Sequence, residues 1–171
     1  MTSYAALVRA VNVSGTGKLP NADLKAMGEA CGFTSVRTYI NSGNLLFVSE
    51  LDEPAVRERI CSRIDGFFGR QVPVHVRSAG EMAAVAAANP FNDDLPSRVM
   101  AYFVDGKPSH ALIEEARDIN GERLAPGPRV VFVSYGSGIR TSRLKIPTIR
   151  KGTARNMNSV ARMAELLAAM S

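Results

Sequence analysis

Six hydrophobic segments follow one another between residues 4 and 76, and their order leaves few topologies open. Tyr4–Val11 is almost continuously apolar, which predicts a central strand. Pro20 opens a helix, with Leu24, Met27 and Cys31 at helical spacing and Gly32 as a left-handed stop. Thr34–Ile40 is a strand, Asn41-Ser42-Gly43-Asn44 a hairpin turn and Leu45–Val48 the returning strand. Pro54 starts a second helix that buries Val56, Ile60, Ile64 and Phe67 and ends at Gly69. Val72, Val74 and Val76 alternate with Pro73, His75 and Arg77, a strand with one buried face. Pro73 puts that strand at a sheet edge, with His75 outward. The order β-α-β-β-α-β is the split βαβ, or ferredoxin-like, arrangement. Right-handed crossovers place its first strand in the middle of the sheet.

The rest of the chain partly echoes this order. Ser78-Ala79-Gly80-Glu81 reads as a capping box for a helix to Ala88, stopped by Asn89-Pro90. A strand over Val99–Val104, a turn at Asp105-Gly106 and a helix near Ser109–Asp118 follow. A strand pair at Arg123–Leu124 and Arg129–Ser134 comes next. That is β-α-β-β again, a degenerate structural duplication without a sequence repeat. Tyr135–Ile149 is basic and irregular. Thr153 or Asn156 then caps a last helix with Val160, Met163, Leu166 and Met170 on one face. The expected fold is α+β, with a ferredoxin-like sub-domain at 1–89 packed on a smaller, partly duplicated basic α+β sub-domain at 97–171. The seam is Asn89–Ser97.

At 171 residues the chain can bury a sizeable core without metal or disulfide. No apolar run is long enough for a membrane span, and Met1–Tyr4 shows no export-like start. With only Cys31 and Cys61, a cytoplasmic protein with reduced thiols is expected.

Charge is uneven. Residues 121–171 carry nine Lys/Arg against two Asp/Glu, and no carboxylate occurs between Arg123 and Ala164. A field of one sign attracts anions, although such a run also serves as a solvated face or pairs with acids elsewhere. Following chain direction, the loop Asn12–Leu19 and the hairpin Asn41–Asn44 share one end of the first sheet. They offer Asn12, Ser14, Thr16, Lys18, Asn41, Ser42 and Asn44 beside a helix start, with Arg9 at the end of the first strand, a setting that suits a phosphate or carboxylate. Turn residues of these types equally satisfy their own backbone.

Other chemistry fares worse. Gly15-Thr16-Gly17-Lys18 lacks the phosphate-loop spacing, and Gly136-Ser137-Gly138 lacks the nucleophile-elbow frame. With His75 and His110 the only histidines, a metal site has little support, and no cofactor is expected. Gly43–Val48 faintly echoes an RNA-binding strand. Its side chains are apolar on both faces, which predicts a sheet covered on both sides and unable to stack bases.

Four segments resemble a known family, the bacterial domain of unknown function 1697 proteins, over nearly the whole chain. They are Leu7-Val8-Arg9-Ala10-Val11-Asn12-Val13, Lys18-Leu19-Pro20, Phe33 through Asn44 with its Thr-Tyr-Ile-x-Ser-Gly-Asn core, and Thr153 through Val160. The sequence departs from the family pattern at Ala10 and Ser14, where Gly is typical. It also has Asn41 for Gln and Met157 for Trp. The resemblance implies two packed α+β sub-domains, the first ferredoxin-like, and brings no activity, cofactor or catalytic residue.

Three functional readings follow. The first is non-catalytic binding of nucleic acid or a phosphorylated ligand. Arg143, Lys145, Arg150, Lys151 and Arg155 contact phosphates, and Asn156 and Asn158 add directed bonds. The second is a small-molecule enzyme whose Arg9, Asn12, Asn44, Arg155 and Asn156 clamp an oxyanion or carboxylate. The third is a homodimeric interaction module. No membrane partner is expected.

Overall fold

The computed structural model describes residues 1–9, 17–136 and 141–170. Their contacts divide the chain into two compact units, Met1–Met82 with Met163–Ser171, and Ala83–Arg162. Among the described residues there are five α-helices and two four-stranded antiparallel sheets.

The first unit runs β1 (Thr2–Val8), α1 (Asn21–Ala30), β2 (Thr34–Thr38), β3 (Asn44–Ser49), α2 (Glu53–Phe68) and β4 (Val74–Ser78). The sheet order is β2-β3-β1-β4, the split βαβ with its first strand inside. Tyr4, Ala6, Val8, Leu45, Phe47, Val74 and Val76 face Leu24, Val56, Ile60 and Ile64 in one core. Phe33 stacks on Phe47 with ring centroids 4.1 Å apart. Gly28 lets α1 lie close to the sheet, since a Cβ there would stand 3.0 Å from both Val36 and Leu45. Asp52 caps α2 by accepting the Ala55 N–H at 3.1 Å, and Gly69 ends it at φ 68°.

Three expectations change. β2 stops at Thr38, because Ile40 turns to φ 48°, a conformation a β-branched residue rarely holds. Phe67 is 46% exposed, and Phe68 takes the inward position against the core. His75 is buried at 2%, not outward, because the second face of the sheet, with Ala5, Leu7 and Leu46, is buried as well. All six residues of β3 are buried, so neither face is open to stack bases.

α3 (Ala79–Ala88) starts at the expected capping box. The Glu81 N–H donates to Ser78 Oγ at 3.2 Å, and the Ser78 N–H donates to Glu81 Oε2 at 2.8 Å.

The second unit contains β5 (Val99–Phe103), α4 (Ala111–Glu115), β6 (Arg123–Gly127), β7 (Val130–Ser134), β8 (Thr153–Asn156) and the start of α5 (Met157–Met170). Its order, β6-β7-β5-β8, repeats that of the first sheet. The repeat extends to detail. Val8 N–H donates to Gly43 O at 2.9 Å, and Val104 N–H donates to Arg129 O at 3.1 Å. Gly43 and Arg129 both have positive φ. β8 carries no strand signal of its own in the sequence, and α4 is shorter than the expected Ser109–Asp118. The helix ends because the Arg117 backbone pairs with Lys145 instead, in two bonds of 2.8 and 3.0 Å. On α5 the buried apolar positions are Met157, Val160, Met163 and Leu167; Leu167 takes the place of Leu166, and Met170 is only half-buried. Asn156 is the cap, its Oδ1 accepting the Ser159 N–H at 2.9 Å. No helix among the described residues is long and apolar enough to cross a membrane.

A candidate ligand cavity in the second unit

The expected site residues fall into two groups, one in each unit. In the first unit, the end of β1, the hairpin and the start of α1 do meet at one end of the sheet. Val8 N–H reaches Gly43 O, and Asn21 Nδ2 donates to Ile40 O at 3.1 Å. Lys18 and Asn41 are exposed, and Ser42 and Arg9 are half-buried. Asn44 is fully buried, its Nδ2 donating to Tyr39 O at 3.1 Å and its own carbonyl accepting the Tyr39 N–H, so it closes its own hairpin. Asn12, with Ser14 and Thr16, lies outside the described residues.

In the second unit the basic run divides by burial. Arg143, Lys145, Arg150 and Lys151 are exposed, as is Asn158. Arg123 is neutralised by acids from earlier in the chain, with Nη2 2.9 Å from Asp93 and 2.6 Å from Asp94. Its guanidinium also lies 4.7 Å from the Phe91 ring centroid. Arg155 is buried on β8, and its Nη1 donates to Thr153 Oγ1 at 2.7 Å and Ala154 O at 2.9 Å. Burial pulls its pKa down to about 10. Asn156 is the helix cap. Arg143 and Lys145 make no ion pair among the described residues.

Arg143 stands at a cavity of about 690 Å³, a size that accommodates a small molecule. Two segments form it, 118–122 from the α4–β6 connection and 141–143 from the β7–β8 connection, with Tyr135 and Gly136 alongside. The Arg117–Lys145 bridge ties the segments together at one end. Ser142 Oγ donates to Glu122 Oε1 at 2.6 Å across them. The other Glu122 oxygen accepts the Asn120 N–H at 2.5 Å. Ser142 first, then Asn120, hold the Glu122 carboxyl below the usual glutamate range. Glu122 therefore acts as an internal post with both oxygens engaged. Asp118, at φ 57°, lines the cavity without an ion-pair partner among the described residues.

Tyr135 adds a hydroxyl, held 2.5 Å from that of Tyr102 on β5. Burial drives both phenols above the ordinary tyrosine pKa, and for Tyr135 the Tyr102 bond and the Glu122 charge add to this. Both stay protonated at neutral pH. The charge run assigns Arg143 to an anion site, whereas Tyr135, Glu122 and Asp118 carry no local signal, because only strand pairing and the Arg117–Lys145 bridge bring them to it.

Among the described residues no group of three or more His, Cys, Asp or Glu is arranged to hold a metal. Cys31 and Cys61 are free thiols.

The fold and the sheet order define a protein of two α+β units with antiparallel four-stranded sheets. The chain belongs to the family described as Protein of unknown function (DUF1697), which matches residues 1–132. It is also similar to a solved structure, the conserved bacterial protein SP0830 from Streptococcus pneumoniae. Identity is 26% and the TM-score 0.73, over 97% of this chain and 98% of that one. No curated protein matches the chain.

Proposed function

We propose that the second unit binds a small ligand through a phosphate or other oxyanion, without catalysis. The observation that carries this reading is Arg143: an exposed guanidinium with no ion-pair partner among the described residues, set at the wall of a ligand-sized cavity. A guanidinium presents a planar fork of donors that matches a phosphate or carboxylate. Lys145, Arg150 and Lys151 are exposed on the same basic segment, and their field raises the local concentration of anions. A cavity of this size favours a small ligand over a nucleic acid, and β3, buried on both faces, offers no surface on which bases could stack. In the first unit Lys18, Asn41 and Ser42 keep some surface, but Asn44 is engaged within its hairpin, so the second unit supports the reading better.

Calorimetric titration with ethyl phosphate at about 50 and about 200 mM salt tests it, because binding held by exposed charges weakens as salt screens them. Saturable binding that weakens with salt is the expected result. Absence of binding, with salt-sensitive binding to DNA or RNA instead, would replace the small ligand by a nucleic acid.

A further inference from the structure

The cavity does more than offer a cation, and its remaining groups specify what the rest of the ligand carries. Asp118 and Arg143 line the same cavity, on two segments tied together through Arg117–Lys145 and Glu122–Ser142. Neither has an ion-pair partner among the described residues. A carboxylate and a guanidinium held in one cavity by a braced backbone, yet not neutralising each other, form a dipolar recess. A plain anion would gain from Arg143 and lose to Asp118 and Glu122. A ligand with a charge of each sign gains at both ends.

The tyrosine pair supplies a further group at the cavity wall. Two hydroxyls 2.5 Å apart share one proton between them, and each tyrosine has only one to give. One O–H of the pair must therefore point elsewhere. If Tyr135 donated to Tyr102, the leftover donor would be on Tyr102, which does not line the cavity and would have no partner among the described residues. If Tyr102 donates to Tyr135, the leftover O–H belongs to Tyr135, which does line the cavity. An oxyanion in the cavity accepts that O–H and so selects the second arrangement, which directs a neutral donor at the ligand. Since both phenols resist ionisation, that donor persists well above neutral pH.

We infer that the cavity selects a small zwitterion, its oxyanion held by Arg143 and the Tyr135 hydroxyl and its ammonium by Asp118. This rests on the oxyanion reading above and adds the second charge and the donor.

Three probes separate the two claims by calorimetry on the full chain: O-phosphoethanolamine, ethyl phosphate and ethylamine. O-Phosphoethanolamine should bind at least about tenfold more tightly than ethyl phosphate, the scale of one additional charge-assisted contact. Asp118→Asn should erase that preference and leave ethyl phosphate bound at least as tightly as before, since a repelling charge is removed. Tyr135→Phe should weaken both phosphates by about tenfold, the loss of one bond to a charged group. Tyr102→Phe, which leaves the Tyr135 O–H, should weaken them less. Thermal melts confirm that each variant is folded. Equal affinity for the two phosphates, or a preference that survives Asp118→Asn, overturns the zwitterion inference and leaves the oxyanion reading standing. Failure of both phosphates to bind overturns both.

Discussion

Arg77 and Arg155 hold the same station in the two sheets. Arg77 on β4 faces Ala5 of β1 across the ladder, and Arg155 on β8 faces Ala101 of β5. Each is buried, and each turns Nη1 back to the carbonyl of the residue before it, Val76 at 2.8 Å and Ala154 at 2.9 Å. Each is followed at once by the residue that caps the next helix, Ser78 or Asn156. With the shared strand order and the matched Val8–Gly43 and Val104–Arg129 bonds, this makes the duplication a property of backbone and side chains together.

Matched stations should respond alike to substitution. Lysine keeps the charge but cannot reproduce the fork of donors. Arg77→Lys and Arg155→Lys should each lower unfolding free energy by about 1–3 kcal/mol, the range for a buried bond to a charged group. Arg143→Lys, at an exposed position, should stay within about 0.5 kcal/mol. Urea unfolding of the three variants checks the order. Loss confined to one of the two buried positions would contradict the equivalence.

The caps make a second matched pair. Ser78→Ala removes the acceptor for the Glu81 N–H, and Asn156→Ala the acceptor for the Ser159 N–H. Each should cost about 1 kcal/mol, with Ser78→Gly and Asn156→Gly costing only a few tenths. Chemical denaturation of the four variants is the measurement. Alanine and glycine variants of equal stability would mean that these side chains do not act as caps.

Glu122 sets part of the acid response. Its folded-state pKa is depressed, first by the Ser142 hydroxyl and then by the Asn120 N–H. A depressed carboxylate contributes its full stabilisation above the ordinary glutamate pKa and loses it as pH falls below that value. The urea midpoint should therefore drop between about pH 5 and about pH 3, and drop less in Glu122→Gln. Asp93 and Asp94, held down chiefly by Arg123 and by Ser134 respectively, keep a residual acid limb in the variant. An acid limb unchanged by Glu122→Gln would show that the carboxylate is not held as described.

The first sheet was legible because its helices carry a period of 3.6, its inner strands are short continuous apolar runs, and its turns carry Asn-Ser-Gly-Asn and Gly69. Where reading failed, long-range pairing had overridden local pattern. α4 stops early because Arg117 gives its backbone to Lys145, 28 positions away in the chain. β8 is four residues long, polar at both ends and runs directly into α5, so it looked like a helix approach. His75 looked exposed because alternation on an edge strand normally separates core from solvent, whereas here it separates two buried faces. The duplication did leave one local trace, an Arg followed by a cap residue at 77–78 and again at 155–156. In the cavity only Arg143 was anticipated, from the charge run. Tyr102 and Tyr135 are far apart in sequence and meet only because β5 and β7 pair, so no window of sequence shows them together.

Amide chemical shifts recorded while inorganic phosphate is added to the folded chain test the oxyanion site most directly. Saturable shifts should concentrate at 118–122, Tyr135 and 141–143 and vanish in Arg143→Gln. Shifts that are absent, or that survive Arg143→Gln unchanged, would contradict the oxyanion site.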